Sequence, residues 1–303
     1  MKRRDLADLV LLAAIWGASF LFMRIAAPAF GPVALVAVRM TIGGLMLLPL
    51  LAMHGHLPAL RAHGGAIAVI GVLNSTLPFL LITYAMLTLT AAFGAVLTAT
   101  VPMWTALVAA VWLRERPWST QWLGLAVGAA GVLVLVGDRV DFDPAGAGWR
   151  ETVAIGATLL GMLLYGVSAN VARQTLAGVP TLATAAGSQR VAAVLLAPWA
   201  AAVWPAQSPT PGEWAAALVL GAVCTGLAYV LYFRLIDHIG PMRTSNVTYL
   251  IPLFATLYGA VFLAEPITLR LVAGGAIVLA GTALALGVRR LPMPAPPSRP
   301  RTK

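Results

Sequence analysis

Apolar residues come in long unbroken runs along this chain, and polar residues are confined to short gaps between them. Ten runs cover residues 6–26, 32–53, 65–87, 91–113, 120–136, 153–172, 182–203, 214–235, 244–263 and 271–288. Each approaches the roughly 20 residues that an α-helix needs to cross a bilayer. The runs are apolar all round, with neither the 3.6-residue stripe of a surface helix nor the alternation of a membrane β-strand. The pattern therefore predicts an all-α integral membrane protein with ten transmembrane helices and no room for a separate soluble domain. Lys2, Arg3 and Arg4 ahead of the first run also fit a signal peptide. The length of that run, and its place in the repeat described next, make it a span.

The two halves of the chain resemble each other at an offset near 150 residues. Gly71 matches Gly221, Leu77 matches Leu227, Pro102 matches Pro252 and Glu115 matches Glu265. Gly124 and Gly131 match Gly274 and Gly281. Trp16-Gly17-Ala18-Ser19 aligns with Tyr165-Gly166-Val167-Ser168, Arg24 with Arg173, and Arg39 with Arg190. Five spans per half is an odd number, so the second half enters the membrane from the opposite side. Inverted repeats of this kind are a signature of secondary transporters, in which one half moves against the other around a site near the midplane. The expected layout is a first repeat over 6–136, an outer loop over 137–152, a second repeat over 153–288 and a basic, proline-rich disordered tail over 289–303.

Composition agrees. The chain is 60% hydrophobic and 10% charged with mean hydropathy +0.89, against roughly 25% charged residues in soluble domains. A net charge of +10 could suggest nucleic acid, but the cations sit at chain ends and in the gaps, where they orient a membrane protein. With the N-terminus inside, fourteen Lys and Arg fall on the inner side and Arg24, Arg139, Arg150 and Arg270 on the outer side. That asymmetry places both termini in the cytoplasm. One cysteine leaves no disulfide framework, and no P-loop, carboxylate pair or metal-ligand cluster appears, so neither an enzyme nor a cofactor or metal is expected. Asp138, Asp141 and Asp143 lack EF-hand spacing and read as solvated.

The chain resembles the drug/metabolite transporter superfamily, EamA type. The resemblance rests on Trp16-Gly17-Ala18-Ser19-Phe20, Pro32 with Arg39, Pro102, Arg114-Glu115-Arg116 and Gly124/Gly131. It is repeated as Gly221 to Tyr232, Pro252, Leu263-Ala264-Glu265-Pro266 and Gly274/Gly281. It implies a transporter of the bacterial inner membrane, many relatives of which export amino acids or other metabolites. A multidrug exporter of cationic compounds is the alternative. An integral-membrane enzyme is a more distant one.

Polar groups inside spans are costly and face the bundle interior. The candidate substrate-binding residues are Trp16, Ser19, Arg39, Asn74, Thr98, Trp104, Tyr165, Ser168, Arg190, Thr225, Tyr229, Thr248 and Tyr249. Arg39 and Arg190 are the only charges clearly within spans. They read either as contacts for a carboxylate or as cations capping neighbouring carbonyls. Pro102 and Pro252 free the carbonyls of Thr98 and Thr248, and Pro78 frees that of Asn74. Trp16 with Ser19, and Tyr165 with Ser168, each share a helix face. No central carboxylate is available for a proton relay. Asp8 and Glu115 are the nearest candidates, and both read as interfacial ion-pair partners of Arg3, Arg4, Arg114 or Arg116. Gly124-Leu125-Ala126-Val127-Gly128 is a GxxxG pattern suited to close helix packing inside the bundle or to dimerisation. Monomer and homodimer are both compatible with the chain. The expected partners are a small-molecule substrate and the lipid bilayer.

Overall fold

The computed structural model describes residues 3–286 except 142, 145 and 147. The expected tail, the last residues of the tenth run, and Lys2, Arg289, Arg290, Arg299, Arg301 and Lys303 lie outside the described residues. All regular structure among the described residues is helical. The chain begins with α1 (Arg3–Met53), followed by α2 (Leu57–Ala62) and α3 (Gly64–Ile70). A π-helical segment, Gly71–Thr76, leads into α4 (Leu77–Ala85). Next come α5 (Ala91–Thr98), α6 (Val101–Trp112) and α7 (Ser119–Val136). The second half holds α8 (Trp149–Thr175), α9 (Thr181–Ala202), α10 (Pro211–Gly221), a second π segment at Ala222–Leu227 and α11 (Ala228–Ile239). It closes with α12 (Pro241–Thr244), α13 (Val247–Leu263) and α14 (Leu269–Ala285).

Six helical stretches are long and apolar enough to cross a membrane: Arg3–Met53, Gly64–Ala85, Ala91–Trp112, Ser119–Val136, Trp149–Thr175 and Pro211–Ile239. Val247–Leu263 and Leu269–Ala285 are shorter apolar helices. The first two expected spans run together as α1, whose 51 residues would reach about 77 Å if straight. Gly31, at φ 71° and ψ 161°, breaks it into two arms. Only a residue without Cβ adopts that conformation cheaply. α9 carries Ser188, Gln189 and Arg190 in one turn, which dilutes its apolar character.

The repeat is visible in backbone detail. The two π segments are 151 residues apart. Each is closed by a threonine hydroxyl donating five residues back: Thr76 to the Gly71 carbonyl at 3.0 Å and Thr225 to the Leu220 carbonyl at 2.9 Å. Arg114 (φ 53°) and Ala264 (φ 52°), 150 residues apart, are the described non-glycine residues with positive φ. The halves differ at their prolines. Pro102 lies in the first turn of α6, after a break at Ala99–Thr100, whereas Pro252 sits inside an unbroken α13.

The GxxxG surface packs within the chain. A Cβ on Gly281 of α14 would lie 2.2 Å from the Gly128 backbone nitrogen, and one on Gly124 would lie 2.3 Å from that of Ala285. Small residues let α7 and α14 approach backbone to backbone, so this face is used internally.

Candidate functional site

A cavity of about 650 Å3 lies between the two halves. The first arm of α1 presents Trp16, Ser19, Phe20 and Met23 to it, and the second arm presents Arg39. Gly17 sets the rotation of the first arm: its missing Cβ would fall 2.6 Å from Phe254 Cβ of α13, so that face packs closely and Trp16 turns to the cavity. The π segments contribute Asn74 on one side and Cys224 and Thr225 on the other. Widened turns of this kind break the helical ladder and recur at functional sites. Gly43 admits the second one against α1, since a Cβ there would meet Thr225 Cγ2 at 2.5 Å. α4 adds Phe79, α8 adds Tyr165 and Ser168, and α11 adds Tyr229 and Tyr232. Trp16 and Tyr232 rings lie 5.4 Å apart, and Phe79 and Tyr165 meet edge to face at 6.3 Å.

Arg39 is 4% exposed. Its Nε donates to Thr225 Oγ1 at 2.9 Å, its Nη1 reaches Met23 Sδ at 3.7 Å, and the guanidinium stands 4.5 Å above the Phe79 ring. No ion pair involves it among the described residues.

Of the thirteen candidates from the sequence, ten line this cavity: Trp16, Ser19, Arg39, Asn74, Thr98, Tyr165, Ser168, Thr225, Tyr229 and Thr248. Trp104, Arg190 and Tyr249 do not. The Trp104 backbone packs on Gly166, where a Cβ would come within 2.8 Å. Tyr249 has its hydroxyl buried away from the cavity without a hydrogen-bond partner. Arg190 is exposed and, unlike Arg39, does not reach the cavity. Its neighbour Gln189 is fully buried.

Residues missed by the sequence reading include Met23, Phe79, Ser188, Cys224 and Tyr232. Tyr232 had a signal, three residues beyond Tyr229 on one helix face. Phe79 and Met23 are apolar among apolar neighbours and had none. Asn170 is structural: its Nδ2 donates to the Thr105 and Gly166 carbonyls at 3.0 and 2.9 Å, joining α8 to α6.

The ionic partners also differ from those expected. Asp8 pairs with Arg234 at 3.3 Å and Glu115 with Arg173 at 2.6 Å. Asp141 organises its loop, accepting from the Asp143 nitrogen at 3.0 Å. At the opposite end from Glu115, Glu265 lies 3.4 Å from Arg24 and accepts from the Ala91 nitrogen at 2.9 and 3.0 Å. None of Arg24, Ala91 and Glu265 lines the cavity, whereas Leu176, Val179 and Thr181, at the Arg173 end, do. The cavity thus extends towards the end where Arg173 meets Glu115. Among the described residues no cluster of His, Cys, Asp or Glu is placed to hold a metal.

Duplicated helices around a polar and aromatic cavity define a membrane carrier architecture. The sequence model of the EamA-like transporter family matches residues 7–137 and again 152–287, and the chain belongs to that family. It is 27% identical over 279 residues to the uncharacterized inner membrane transporter YedA of Escherichia coli K12, covering 90% of this chain and 88% of YedA. It is 23% identical to the uncharacterized transporter YvbV of Bacillus subtilis, over 93% and 92% of the two chains. It is 29% identical to the uncharacterized protein PA1977 of Pseudomonas aeruginosa, over 95% and 96%. One solved crystal structure of a protein superposes on 94% of this chain and 97% of its own, with TM-score 0.66 at 22% identity, a likeness of fold alone. The chain is a membrane transporter of this family, acting on small molecules in the lipid bilayer.

Proposed function

We propose that this chain is a secondary transporter that exports small amphipathic metabolites from the bacterial cytoplasm by alternating access. Its halves, 6–136 and 153–288 joined by 137–152, act as two inverted five-span repeats with both termini cytoplasmic. The observation that carries this reading is the 650 Å3 cavity, built from both halves and lined by hydroxyls, an amide, aromatic rings and one guanidinium. Its volume falls in the range of small-molecule sites, about 300–1,000 Å3. Amino acids are the first substrates to try, on the family resemblance. Export of cationic drugs is less well supported, because among the described residues no Asp or Glu lines the cavity to neutralise a cation.

The test is counterflow in proteoliposomes containing the purified chain, with a labelled metabolite pool. Saturable exchange that is lost in Trp16→Ala, while that variant still elutes as a folded protein, is the expected result. Unsaturable leakage, or no exchange of any metabolite by folded protein, would defeat the reading.

A further inference from the structure

We propose that the cavity selects solutes with a net negative charge, monocarboxylates with an aromatic or branched apolar body, and that Arg39 is the anchor for the carboxylate. The proposal rests on the transporter reading and narrows its substrate class.

A guanidinium carries five N–H donors. Thr225 and Met23 take two of those of Arg39, which leaves three without an acceptor among the described residues. A buried cation normally has an anionic partner, because an uncompensated charge away from water costs several kcal/mol. Among the described residues no carboxylate lies within ion-pair distance, and the lining holds no Asp, Glu, Lys or His. Apart from tyrosines and Cys224, Arg39 is the only ionisable group facing the space among the described residues, which gives the lining a formal charge of +1. A bound carboxylate would take two parallel hydrogen bonds from the free edge of the guanidinium and neutralise the site. The rings of Trp16, Phe79, Tyr165 and Tyr232 would hold the apolar body.

A zwitterion fits less well. Its ammonium group would lose water and find ring faces and hydroxyls, which return about 0.5–2 kcal/mol, and no carboxylate. A cation would meet Arg39 without compensation. Net charge also supplies a driving force. Carrying one negative charge out of a cell that is negative inside releases about 2.3 kcal/mol per 100 mV. Export of a monoanion therefore needs no carboxylate relay within the spans.

The experiment compares three solutes of one shape and different charge: phenylpyruvate, phenylalanine and phenethylamine. A branched set, 4-methyl-2-oxopentanoate, leucine and isoamylamine, is run beside it. Each is measured by counterflow in proteoliposomes of the full chain, and separately by net efflux into solute-free medium under a valinomycin-imposed potassium diffusion potential of either sign. The 2-oxo acids should exchange about tenfold faster or more than the matched zwitterions, and their net efflux should be accelerated by an inside-negative potential. Arg39→Gln should lower 2-oxo acid exchange about 30-fold or more, and Arg39→Lys should restore part of it. Equal exchange of phenylalanine or phenethylamine, or unchanged phenylpyruvate exchange in Arg39→Gln, would overturn the proposal. Should Arg39→Gln fail to fold, thermal stabilisation of the wild-type protein decides. Phenylpyruvate must raise the melting temperature and phenethylamine must not; the reverse order would overturn the proposal. If the protein exchanges other solutes but neither 2-oxo acid, the proposal falls and the transporter reading stands. If it exchanges nothing, both fall.

Discussion

Replacing Glu265 should cost the protein several times more stability than replacing Glu115, although the two occupy the same place in the repeat. Glu265 sits in the connection between α13 and α14 with its side chain 7% exposed. Both its oxygens accept from the Ala91 nitrogen at the start of α5, one of the N–H groups that a helix leaves without an internal partner. Arg24 stands 3.4 Å away and donates through Nη1 to the Met86 carbonyl at 3.0 Å. Three segments are tied at one point: the first arm of α1, the turn before α5 and the α13–α14 connection. The counterpart pair, Glu115 with Arg173, is closer at 2.6 Å, but both side chains are more than half exposed. The residue 150 positions beyond Ala91 is Pro241, which has no N–H to give. Glu115 cannot make the second bond that Glu265 makes.

The magnitudes follow. A hydrogen bond to a buried charged acceptor is worth about 1.5–3 kcal/mol. Breaking a fully buried ion pair costs about 3–5 kcal/mol, an amount reduced here because Arg24 is 28% exposed and water can reach it. Glu265→Ala should therefore lose about 2–4 kcal/mol. Glu265→Gln should lose less, since its amide oxygen still accepts from Ala91 while the attraction of a carboxylate to the helix N-terminus, about 0.3–1 kcal/mol, disappears. Glu115→Ala should lose about 0–1 kcal/mol, as solvated pairs do. Equilibrium unfolding in mixed micelles, with all variants at one salt concentration, measures these differences. Equal losses for Glu265→Ala and Glu115→Ala, or a larger loss for Glu115→Ala, would refute the reasoning.

Other expectations follow from packing and from the cavity. Gly281→Ala should cost about 1–3 kcal/mol by forcing α14 off α7, whereas Gly156→Ala, with nothing within 4 Å of the added Cβ, should be neutral or gain up to about 1 kcal/mol of helix propensity; thermal melting of the purified variants compares them. Cys224, the single cysteine, lines the cavity. A small maleimide should label it slowly in the native protein, and a transported solute should protect it, as mass spectrometry of the intact chain would show. Arg190→Gln should leave transport within about twofold of wild type, the size of effect expected of a surface substitution, in counterflow with whichever solute the wild-type protein exchanges.

Helix identity was legible because runs that are apolar all round leave the backbone no alternative within a membrane. Threonines cap two of the later helices, a local signal that the reading of apolar runs did not use. Thr210 accepts from the Glu213 nitrogen while Glu213 bonds back to it, and Thr268 accepts from the Leu271 nitrogen. The break at Gly31 could be read from Gly31-Pro32. Which way a side chain faces inside a bundle was not legible. A helix buried on several sides has no polar face to orient it, so Trp104 and Tyr249 had the composition of cavity residues without the rotation. Phe79 had the rotation without a polar signal. The pairing of Arg24 with Glu265 and of Arg173 with Glu115 joins residues more than 50 positions apart. It follows from how the two halves meet, which no local pattern encodes.

The repeat explains both what the sequence revealed and where it misled. Equivalent positions share backbone geometry because the same fold is built twice, as the paired π segments and the paired left-handed residues Arg114 and Ala264 show. Side-chain chemistry is free to diverge, and it diverges where function would be placed. Arg39 aligns with Arg190, the one buried and the other exposed; Trp16 aligns with Tyr165, and Pro241 stands 150 positions beyond Ala91. A cavity lined by two identical halves would hold two cations or none and would be latched equally at both ends. Among the described residues this cavity is lined by one buried cation, Arg39, and the ion pair of Glu265 is far more buried than that of its repeat partner Glu115. A duplicated backbone with diverged side chains therefore offers a solute two chemically different sides, one with the guanidinium and one without.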